Sequence, residues 1–437
     1  MNRILLILLL WPMFLKSQNP EVFVMKTVAS QSSQYEQWYK NLHTHPELSS
    51  KELNTSAQLK EYVKNWGFEI IDSLGMHSFA AVLKNGNGPV VLYRTDMDGL
   101  PVKEQTGLDF ASTSIQENNA VMHACGHDIH MSTWLGTAQL LSQNKNQWKG
   151  TLVLLAQSAE ETGQGAKAVL ASLNHTKIPV ADFQLAMHDH AQLPAGKIGL
   201  CDGYAFAAVD MLNITIFGRP GHGAAPDLAI DPIVLSAQFI NNIQTIISRN
   251  LNSNDPAIIT VGAINGGTIG NVIPDNVQLK LTIRSYSSNS RDIIFKRLKT
   301  IADNLALASG LDSTRLPKFE LLDMSIPSVY NDPELGSRLR NMINISFGSQ
   351  AYENVKPVMI GEDFGIYGRT NANAKSYIIW MGTVGKERMN QNIQENKNLP
   401  SLHSSTFAPD YNEVLPASVS TLSTIIYKLL KSEKQLK

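Results

Sequence analysis

Residues 151–161 read T-L-V-L-L-A-Q-S-A-E-E, an apolar run of strand length that ends in a pair of acids. The run from Thr151 to Ala156 is predicted to be a buried strand, and Ala166 to Leu173 is predicted to be a helix. Helical periodicity also precedes the run, from Ile129 to Leu141, and a short apolar strand follows it at Phe183 to Met187. Strands that alternate with helices in this way predict an α/β domain with a largely parallel sheet.

Segments before this stretch extend the same pattern. Gln31 to Leu42 and Lys51 to Trp66 are predicted to be helices. Phe79 to Leu83 and Val90 to Tyr93 are predicted to be strands, and residues 85–88 between them read N-G-N-G, a strong turn signal. We therefore predict that these two strands form a β-hairpin.

The middle of the chain follows a different order. Its predicted elements are a strand at Met211 to Phe217, a helix at Ile230 to Ser248, strands at Ala257 to Ala263 and Val277 to Ile283, a helix at Arg291 to Ala308 and a strand near Phe319 to Leu322. This β-α-β-β-α-β order is the ferredoxin-like arrangement. After it, α/β character returns with a strand at Ser376 to Met381 and a helix from Pro416 to Lys431. We predict a domain at residues 208–324, inserted into an α/β domain formed by residues 30–207 and 325–437.

The composition is that of a folded globular protein without a strong overall charge. Apolar residues make up 43% of the 437 residues and charged ones 17%, and 37 Lys and Arg oppose 38 Asp and Glu, for a net charge of -1. Nothing global would attract nucleic acid or an anionic membrane. A small-molecule or protein partner is therefore expected, with no nucleic acid and no stable membrane partner.

The N-terminal residues 1–18 have the pattern of a secretory signal peptide. Arg3 precedes the apolar run ILLILLLWPMFL, which is shorter than the roughly 20 apolar residues that span a bilayer. We predict cleavage and a secreted or periplasmic location, with an uncleaved membrane anchor as the alternative. The chain has only Cys125 and Cys201, too few for a disulfide framework, so we expect stability to come from packing.

Polar residues follow three of the predicted strands. They are Arg94, Asp96 and Asp98 after the first, Glu160 and Glu161 after the second, and His188, Asp189 and His190 after the third. Sites in open α/β sheets lie beyond the carboxyl ends of the strands, so these groups are expected at one edge. Together with Cys125 and His127, they supply enough N, O and S donors for one or two divalent metals. Zinc accepts this mixture, and manganese or cobalt could compete for it.

Each of these elements has a simpler interpretation when taken alone. Adjacent acids such as Glu160 and Glu161 commonly begin a solvated helix, and a histidine at a strand end is commonly a hydrogen-bonded core residue. A Cys-x-His pair is also weaker evidence for zinc than two spaced ligand pairs. The combination, rather than any one element, predicts the metal site.

Seven stretches occur in order between residues 94 and 410, within a resemblance that covers the chain from about residue 35 to the C-terminus: RTDMDGLP (94–101), MHACGHDIHMSTWLG (122–136), QSAEETGQGA (157–166), GHGAAPDLAIDPI (221–233), GGTIGNVIPD (266–275), GEDFGIY (361–367) and LHSSTFAPD (402–410). They resemble the M20 peptidases, and most closely the amidohydrolase branch of hippurate hydrolases, aminoacylases and hydrolases of auxin conjugates with amino acids. The resemblance implies a mixed-sheet, zinc-peptidase-like catalytic domain with an inserted ferredoxin-like (βαββαβ) lid or dimerisation domain. It also implies two divalent metal ions per subunit and, in some members, a homodimer through the inserted domain.

The resemblance also implies roles for individual residues. The metal ligands would be Cys125, His127, Glu161, His188 and His403, with Glu160 as the general base. Asp98 would hold a ligand or a metal in place without being a ligand itself. Asp96 would lie near the site, and no role as a ligand is assigned to it. In the inserted domain, His222, Asn271 and Arg284 match residues that reach the substrate, and His222 would stabilise the tetrahedral oxyanion. Arg284 could pair with a substrate carboxylate, with a structural salt bridge as the alternative.

Other histidines and some departures from the branch need separate treatment. His43 and His45 fall in an H-x-H-P-E-L-S pattern interpreted as structural, and His123 and His130 are expected to make packing or supporting contacts. The roles of His130, His190 and Asp227 stay open. Asp227 stands where many relatives have a second histidine, and Gly361 stands where many have serine.

The resemblance implies metal-dependent hydrolysis of the amide bond of N-acyl amino acids or similar small amides. Cys125 would be a thiolate held by metal, neither half of a disulfide nor a nucleophile. The alternative within the superfamily is a dipeptidase or carboxypeptidase. The alternative of another class is a non-catalytic binding protein that keeps the fold, although such a protein would have no chemical use for both a base and five ligands.

Overall fold

The computed structural model describes residues 20–173, 178–370, 373–395 and 397–431, so the predicted signal segment, residues 1–18, lies outside the described residues. The helices are α1 (Pro20–Thr44), α2 (Leu53–Asn65), α3 (His127–Gln143), α4 (Gly165–Leu173), α5 (Pro232–Asn250), α6 (Ser288–Ala308), α7 (Pro333–Phe347), α8 (Lys386–Glu395) and α9 (Tyr411–Lys431). Within these described ranges, no helix has the length and apolar character needed to cross a membrane.

The strands divide between a large sheet, a four-stranded sheet and three short pairs. In chain order they are β1 (Glu69–Ile71), β2 (Phe79–Asn85), β3 (Val90–Asp96), β4 (Ile115–Gln116), β5 (Asn119–Ala120), β6 (Gly150–Gln157), β7 (Phe183–Pro194), β8 (Ile198–Leu200), β9 (Gly203–Phe206), β10 (Ala208–Phe217), β11 (Gly221–His222), β12 (Ala257–Gly266), β13 (Val272–Ile273), β14 (Asn276–Ser285), β15 (Lys318–Leu321), β16 (Val329–Asn331), β17 (Tyr352–Asn354) and β18 (Lys375–Val384).

The large sheet is mixed, with a parallel centre. Its order is β1-β2-β6-β3-β7-β18-β8-β17, and β6, β3, β7 and β18 run parallel to one another. The opening stretch forms β6, which is buried along nearly its whole length because its apolar residues face helices on both sides of the sheet. With both faces covered, a solvent-filled site can form only at a strand end. The predicted α/β fold with a mixed sheet is confirmed.

The predicted hairpin between the strands at residues 79–83 and 90–93 is wrong. β6 lies between β2 and β3, antiparallel to β2 and parallel to β3. The chain does reverse at the N-G-N-G turn, but the turn passes over the start of β6, where the Thr151 amide donates to the Pro89 carbonyl at 2.9 Å. The turn residues therefore predicted the chain reversal correctly. They did not predict that the buried strand β6 lies between β2 and β3.

The middle of the chain forms the predicted βαββαβ arrangement. The sheet order is β12-β14-β10-β15 with every neighbouring pair antiparallel, which is the ferredoxin-like topology. Residues of α5 and α6 contribute to the apolar core of this unit, together with alternate residues of the strands. The strands and helices thus follow the order that the periodicity indicates, while the predicted boundaries at 208 and 324 stay a prediction.

Candidate metal centre and active site

The carboxyl ends of three adjacent parallel strands bring the site together. β3 ends at Asp96, directly opposite Gln157 at the end of β6, and β7 lies on the other side of β3. The acids that follow β3 and β6 therefore meet, and His188 lies within β7 at the same edge.

The structure brings the predicted ligands into two groups that share one residue. Donor atoms of Cys125, His127 and His188 lie within 4.8 Å of one another, and so do those of Cys125, Glu161 and His403. Cys125 Sγ lies 3.7 Å from His188 Nε2, and His403 Nε2 lies 3.5 Å from Glu161 Oε2. A thiolate common to both groups places two cation sites side by side.

A left-handed glycine separates the donors Cys125 and His127. Gly126 has φ +80° and precedes α3, so His127 begins the helix while Cys125 stays in the loop before it. A Cβ on Gly126 would lie 2.1 Å from Asp189 Oδ2, so the backbone must lie close to that carboxylate. The turn needs glycine for both its conformation and its packing.

Two buried acids hold the turn that carries Glu160 and Glu161. Glu52 accepts a hydrogen bond from the Ala159 amide at 2.7 Å, and Asp98 accepts from the Glu160 and Glu161 amides at 3.2 and 3.0 Å. Ala159 has φ +55°, a strained conformation for a residue with a side chain. Asp98 thus supports the acids from behind, as the resemblance implies, whereas the role of Glu52 was not predicted.

The tautomers of His188 and His130 follow from their hydrogen bonds. His188 Nδ1 lies 3.0 Å from the Asp189 carbonyl, so this nitrogen donates and Nε2 is left to face Cys125. His130 Nε2 accepts from the Asp189 amide at 3.0 Å, and its Nδ1 donates to Asp96 at 2.7 Å. His130 therefore has no nitrogen left for a metal and acts as a support for Asp96.

The donor set fits divalent cations. Both ring nitrogens of His127 and one oxygen of Glu161 are buried without a hydrogen-bond partner among the described residues. Burial opposes a charge on His127, but the carboxylates of Asp96 and Asp98 outweigh it and raise its pKa to about 10. Burial raises the pKa of Glu161 to about 8, and it raises the pKa of the Cys125 thiol well above its ordinary value. Positive ions would satisfy these atoms and stabilise the carboxylate and thiolate.

Behind the donors, a buried arginine joins acids from distant parts of the chain. Arg94 donates to Asp96 at 2.6 Å, Glu362 at 3.0 Å and Asp363 at 2.9 Å, and its Nε donates to Gln157 at 3.1 Å. With Arg94 on one oxygen and a histidine on the other, Asp96 is fully engaged and has a supporting position. The motif GEDFGIY signals this cluster, but its partner in β3 could not be identified from the sequence.

The family of the chain follows from the sequence around these donors. The model of peptidase family M20/M25/M40 matches residues 92–406, which include every donor named above. The chain belongs to this family.

Relatives of known name support the same branch. An N-acetylcysteine deacetylase of Bacillus subtilis (strain 168) is 34% identical over 354 residues, 80% of this M20 chain and 88% of the relative. An N-acetyldiaminopimelate deacetylase of Leuconostoc citreum (strain KM20) is 33% identical over 402 residues, 91% and 97% of the two chains. A solved Bacillus subtilis structure, described as a dinuclear metal-binding peptidase from the M20 family, has a TM-score of 0.75 at 28% identity and covers 92% of this chain and 99% of that one.

The donors of the M20 chain open into a cavity of about 410 Å³ between the large sheet and the inserted unit. Cys125, Glu160, Glu161, His188 and His403 line it, together with Arg284. Burial lowers the pKa of Arg284, and its Nη1 is buried without a hydrogen-bond partner among the described residues. The charge of Asp210 acts on Arg284, but Asp210 forms its salt bridge with Arg291, so Nη1 of Arg284 is available to an anion.

Two other predicted substrate residues lie elsewhere. His222 and Asn271 are exposed neighbours at the pairing of β11 with β13, and neither lines the cavity that holds the donors. Asp227 is likewise exposed, in a short turn before α5. His190 does not line the cavity either, and its ring contacts Trp380 at 5.2 Å between centroids.

His43 belongs to a buried ionic group beside α3. Its Nδ1 lies 2.6 Å from Asp128 and its Nε2 lies 3.0 Å from Glu104. Burial opposes protonation, but the two carboxylates outweigh it and raise the pKa of His43 to about 10. His45, the second histidine of the motif, is exposed and caps the helix end by bonding the Asn41 carbonyl.

Replacing His43 with asparagine is expected to destabilise the fold and change its pH dependence. Removal of the imidazolium leaves two buried acids without their partner, at a cost of about 3–5 kcal/mol. The folded state keeps the proton of His43 up to a pH of about 10, whereas an unfolded histidine loses it near pH 6.5. This contribution is complete below the lower value and is lost as the pH rises through the upper one.

The test is urea unfolding followed by tryptophan fluorescence between pH 7 and pH 10. The wild-type free energy of unfolding should fall over this window, and it should fall less in His43→Asn. His45→Asn, which removes an exposed histidine from the same motif, is the matched control. Equal slopes in the wild type and His43→Asn would contradict the assignment.

Proposed function

We propose that this M20 chain is a metal-dependent amidohydrolase that releases an amino acid from an N-acyl amino acid. One observation carries the proposal: members of both donor groups, the acid Glu160 and the guanidinium of Arg284 all line the same cavity, and Nη1 of Arg284 has no hydrogen-bond partner among the described residues. The names of the deacetylase relatives support this substrate class. The signal-like residues 1–18 support a secreted or periplasmic location.

Two divalent ions, zinc or manganese with cobalt as a further candidate, suit the donors. Cys125, His127 and His188 would hold one, and Cys125, Glu161 and His403 would hold the other. Thiolate and imidazole favour zinc, whereas the carboxylates also accept manganese. When bound, such ions polarise the amide carbonyl and lower the pKa of a water molecule.

Glu160 is placed to move the proton. Its carboxylate lines the cavity and lies 4.0 Å from His127 Nε2. It also comes within donor distance of His127 and Glu161, but neither of the two proposed cation sites uses it. Burial and the nearby Glu362 and Glu161 raise the pKa of Glu160, which makes it a stronger proton acceptor. In the hydrolysis, the water oxygen bonds to the acyl carbon, the C–N bond breaks, and Glu160 passes the water proton to the departing nitrogen.

The function is tested by hydrolysis of N-acetyl amino acids, N-benzoyl amino acids and dipeptides, with and without a chelator. Hydrolysis of the N-acyl amino acids, loss of activity with the chelator and recovery with zinc or manganese are expected. Faster hydrolysis of dipeptides would favour the dipeptidase or carboxypeptidase alternative. Activity that survives complete metal removal would refute the mechanism, and no activity on any of the amides would favour the non-catalytic alternative.

Replacing Arg284 with methionine is expected to weaken recognition of the substrate carboxylate. A hydrogen-bonded charge pair of this kind contributes about 2–3 kcal/mol, or ~30–140-fold in kcat/KM. The matched control is a neutral substrate, N-acetyl-leucinamide, whose kcat/KM should be nearly unchanged. An equal loss on N-acetyl-leucine and on its amide would contradict carboxylate recognition.

A homodimer through the inserted unit is part of the proposal, because it would explain the exposed positions of His222 and Asn271. β12 is an edge strand of the four-stranded sheet and carries the exposed apolar side chains of Ile258 and Ile264. Such an edge readily pairs with a second chain. His222 of the partner subunit could then reach the cavity and stabilise the oxyanion.

The dimer predicts that two inactive variants can restore activity together. Sedimentation should give twice the mass of the mature chain. Mixing Glu160→Gln with His222→Ala after subunit exchange should produce hybrids with one intact site and raise activity well above that of either variant. A monomer with full activity, or no recovery in exchanged mixtures, would contradict a shared site.

A further inference from the structure

One wall of the cavity is apolar. Its side chains are Val209, Met211, Met324, Ile326, Met359 and Ile360. Apart from the metal donors and Glu160, the cavity is lined, within the described residues, by a single ionisable side chain, that of Arg284. The cavity therefore combines one anion-binding group with an apolar surface.

The guanidinium and the apolar wall lie side by side on the same sheet face. Arg284 on β14 pairs directly with Val209 on β10, so their side chains point the same way. Val209 also forms a bridge with Ile326, through two backbone hydrogen bonds of 2.9 Å. Met211, two residues along β10, faces the same side. A carboxylate bound to Arg284 would therefore bring the α-carbon of its amino acid against this wall.

Two glycines fix the shape of the wall at Val209 and Ile326. A Cβ on Gly361 would lie 2.4 Å from Val209 Cγ2 and 2.9 Å from Ile326 Cδ1. A Cβ on Gly163 would lie 2.7 Å from Ile326 Cγ2. Val209 and Ile326 thus occupy the space that the side chain of a larger residue at position 361 would need. The methionines around them are flexible and can adapt to different apolar groups.

The wall offers no partner for a charged substrate side chain. Burial of an ammonium or a second carboxylate there would remove its water without replacing the hydrogen bonds, which is costly. The substrates named for the relatives differ in this respect: N-acetylcysteine has a small side chain with a weakly polar thiol, whereas N-acetyldiaminopimelate has a second amino-acid group.

We infer that the amino acid released by this chain carries an aliphatic or sulfur-containing side chain, which packs against the wall formed by Val209, Ile326 and Met324. This inference rests on the proposed function and specifies its substrate. It separates the chain from deacetylases of charged, bifunctional amino acids. The acyl group lies on the other side of the scissile bond and is not selected by this wall.

The test uses the metal-loaded enzyme and two substrate series. In the first, the acyl group is always acetyl and the amino acid is Leu, Met, Val, Cys, Lys, Asp or diaminopimelate. In the second, the amino acid is always Leu and the acyl chain is lengthened. We expect kcat/KM for the Leu and Met substrates to exceed that for the Lys, Asp and diaminopimelate substrates by about 100-fold or more.

A charge placed in the wall should change this order. Met324 is half-buried, so Met324→Glu is expected to fold. It should lower kcat/KM for N-acetyl-leucine at least about tenfold and raise it for Nα-acetyl-lysine. Met25→Glu, at an exposed position on α1, is the matched control and should leave both values unchanged.

The outcomes separate this inference from the proposed function. Hydrolysis of all N-acetyl amino acids at similar kcat/KM, or a dependence on acyl length alone, overturns the inference and leaves the proposed function intact. Preference for the Lys, Asp or diaminopimelate substrates also overturns it. Failure to hydrolyse any N-acyl amino acid overturns the proposed function, and the inference with it.

Discussion

Replacing Glu160 with glutamine is expected to lower kcat by about 10³-fold or more while the metal content stays that of the wild type. Positioned proton transfer contributes about 10²–10⁴-fold in enzymes, and here the same carboxylate would act twice. Glutamine keeps the size of the side chain but cannot accept the proton. The substitution therefore removes the proton shuttle and leaves the rest of the cavity in place.

The structure gives this prediction a close control one residue away. Glu161 is assigned as a ligand of one proposed cation site and Glu160 as the proton carrier, although both acids follow the same strand and share the support of Asp98. Glu161→Gln should therefore lose metal, whereas Glu160→Gln should not. Steady-state kinetics with elemental analysis of the dialysed proteins distinguishes the two variants. Near-wild-type kcat in Glu160→Gln would show that another group moves the proton.

Replacing Cys125 with alanine is expected to reduce both metal ions together. Cys125 is the one residue common to the two donor groups, so its loss takes a ligand from each. His188→Ala and His403→Ala each affect a single group and should retain about one ion per chain after dialysis. Elemental analysis of the three variants measures the difference, and activity should fall to background in Cys125→Ala.

The second cysteine provides the control for this experiment. Cys201 is also buried, but its thiol faces the Tyr204 carbonyl and does not line the cavity. Cys201→Ala should keep two ions and most of the activity. If Cys125→Ala still bound two ions per chain, the thiolate would not be shared and the two-group arrangement would be incorrect. Circular dichroism of all variants separates metal loss from unfolding.

The sequence was sufficient to predict the fold class and the edge where the site forms. Apolar runs of strand length that alternate with helical segments identify β3, β6 and β7, and parallel strands deliver their carboxyl ends to one edge. The pairing order was not predictable in the same way. The N-G-N-G turn is a local signal, whereas the insertion of β6 between β2 and β3 depends on burial of both faces of β6.

Supporting residues were harder to predict than donors. Histidine and cysteine are recognisable as candidate ligands from their residue type alone. Glu52 could be any acid at the start of a helix, because its contact with Ala159, more than 100 residues away in sequence, is visible only in the structure. Arg94 and Glu362 are likewise separated by 268 positions. The exposed positions of His222 and Asn271 also depend on how the inserted unit sits relative to the sheet, which periodicity does not determine.

The loop that carries His403 sets a time order for assembly of the centre. The His403 amide donates to the Ala124 carbonyl at 2.8 Å, directly beside Cys125, so the last donor docks onto the loop that holds the first. About nine tenths of the chain is synthesised before this donor, residue 403 of 437, exists. A cation held by Cys125, Glu161 and His403 can therefore be captured only after the C-terminal region is made, whereas the donors of the other group, Cys125, His127 and His188, are in the chain much earlier.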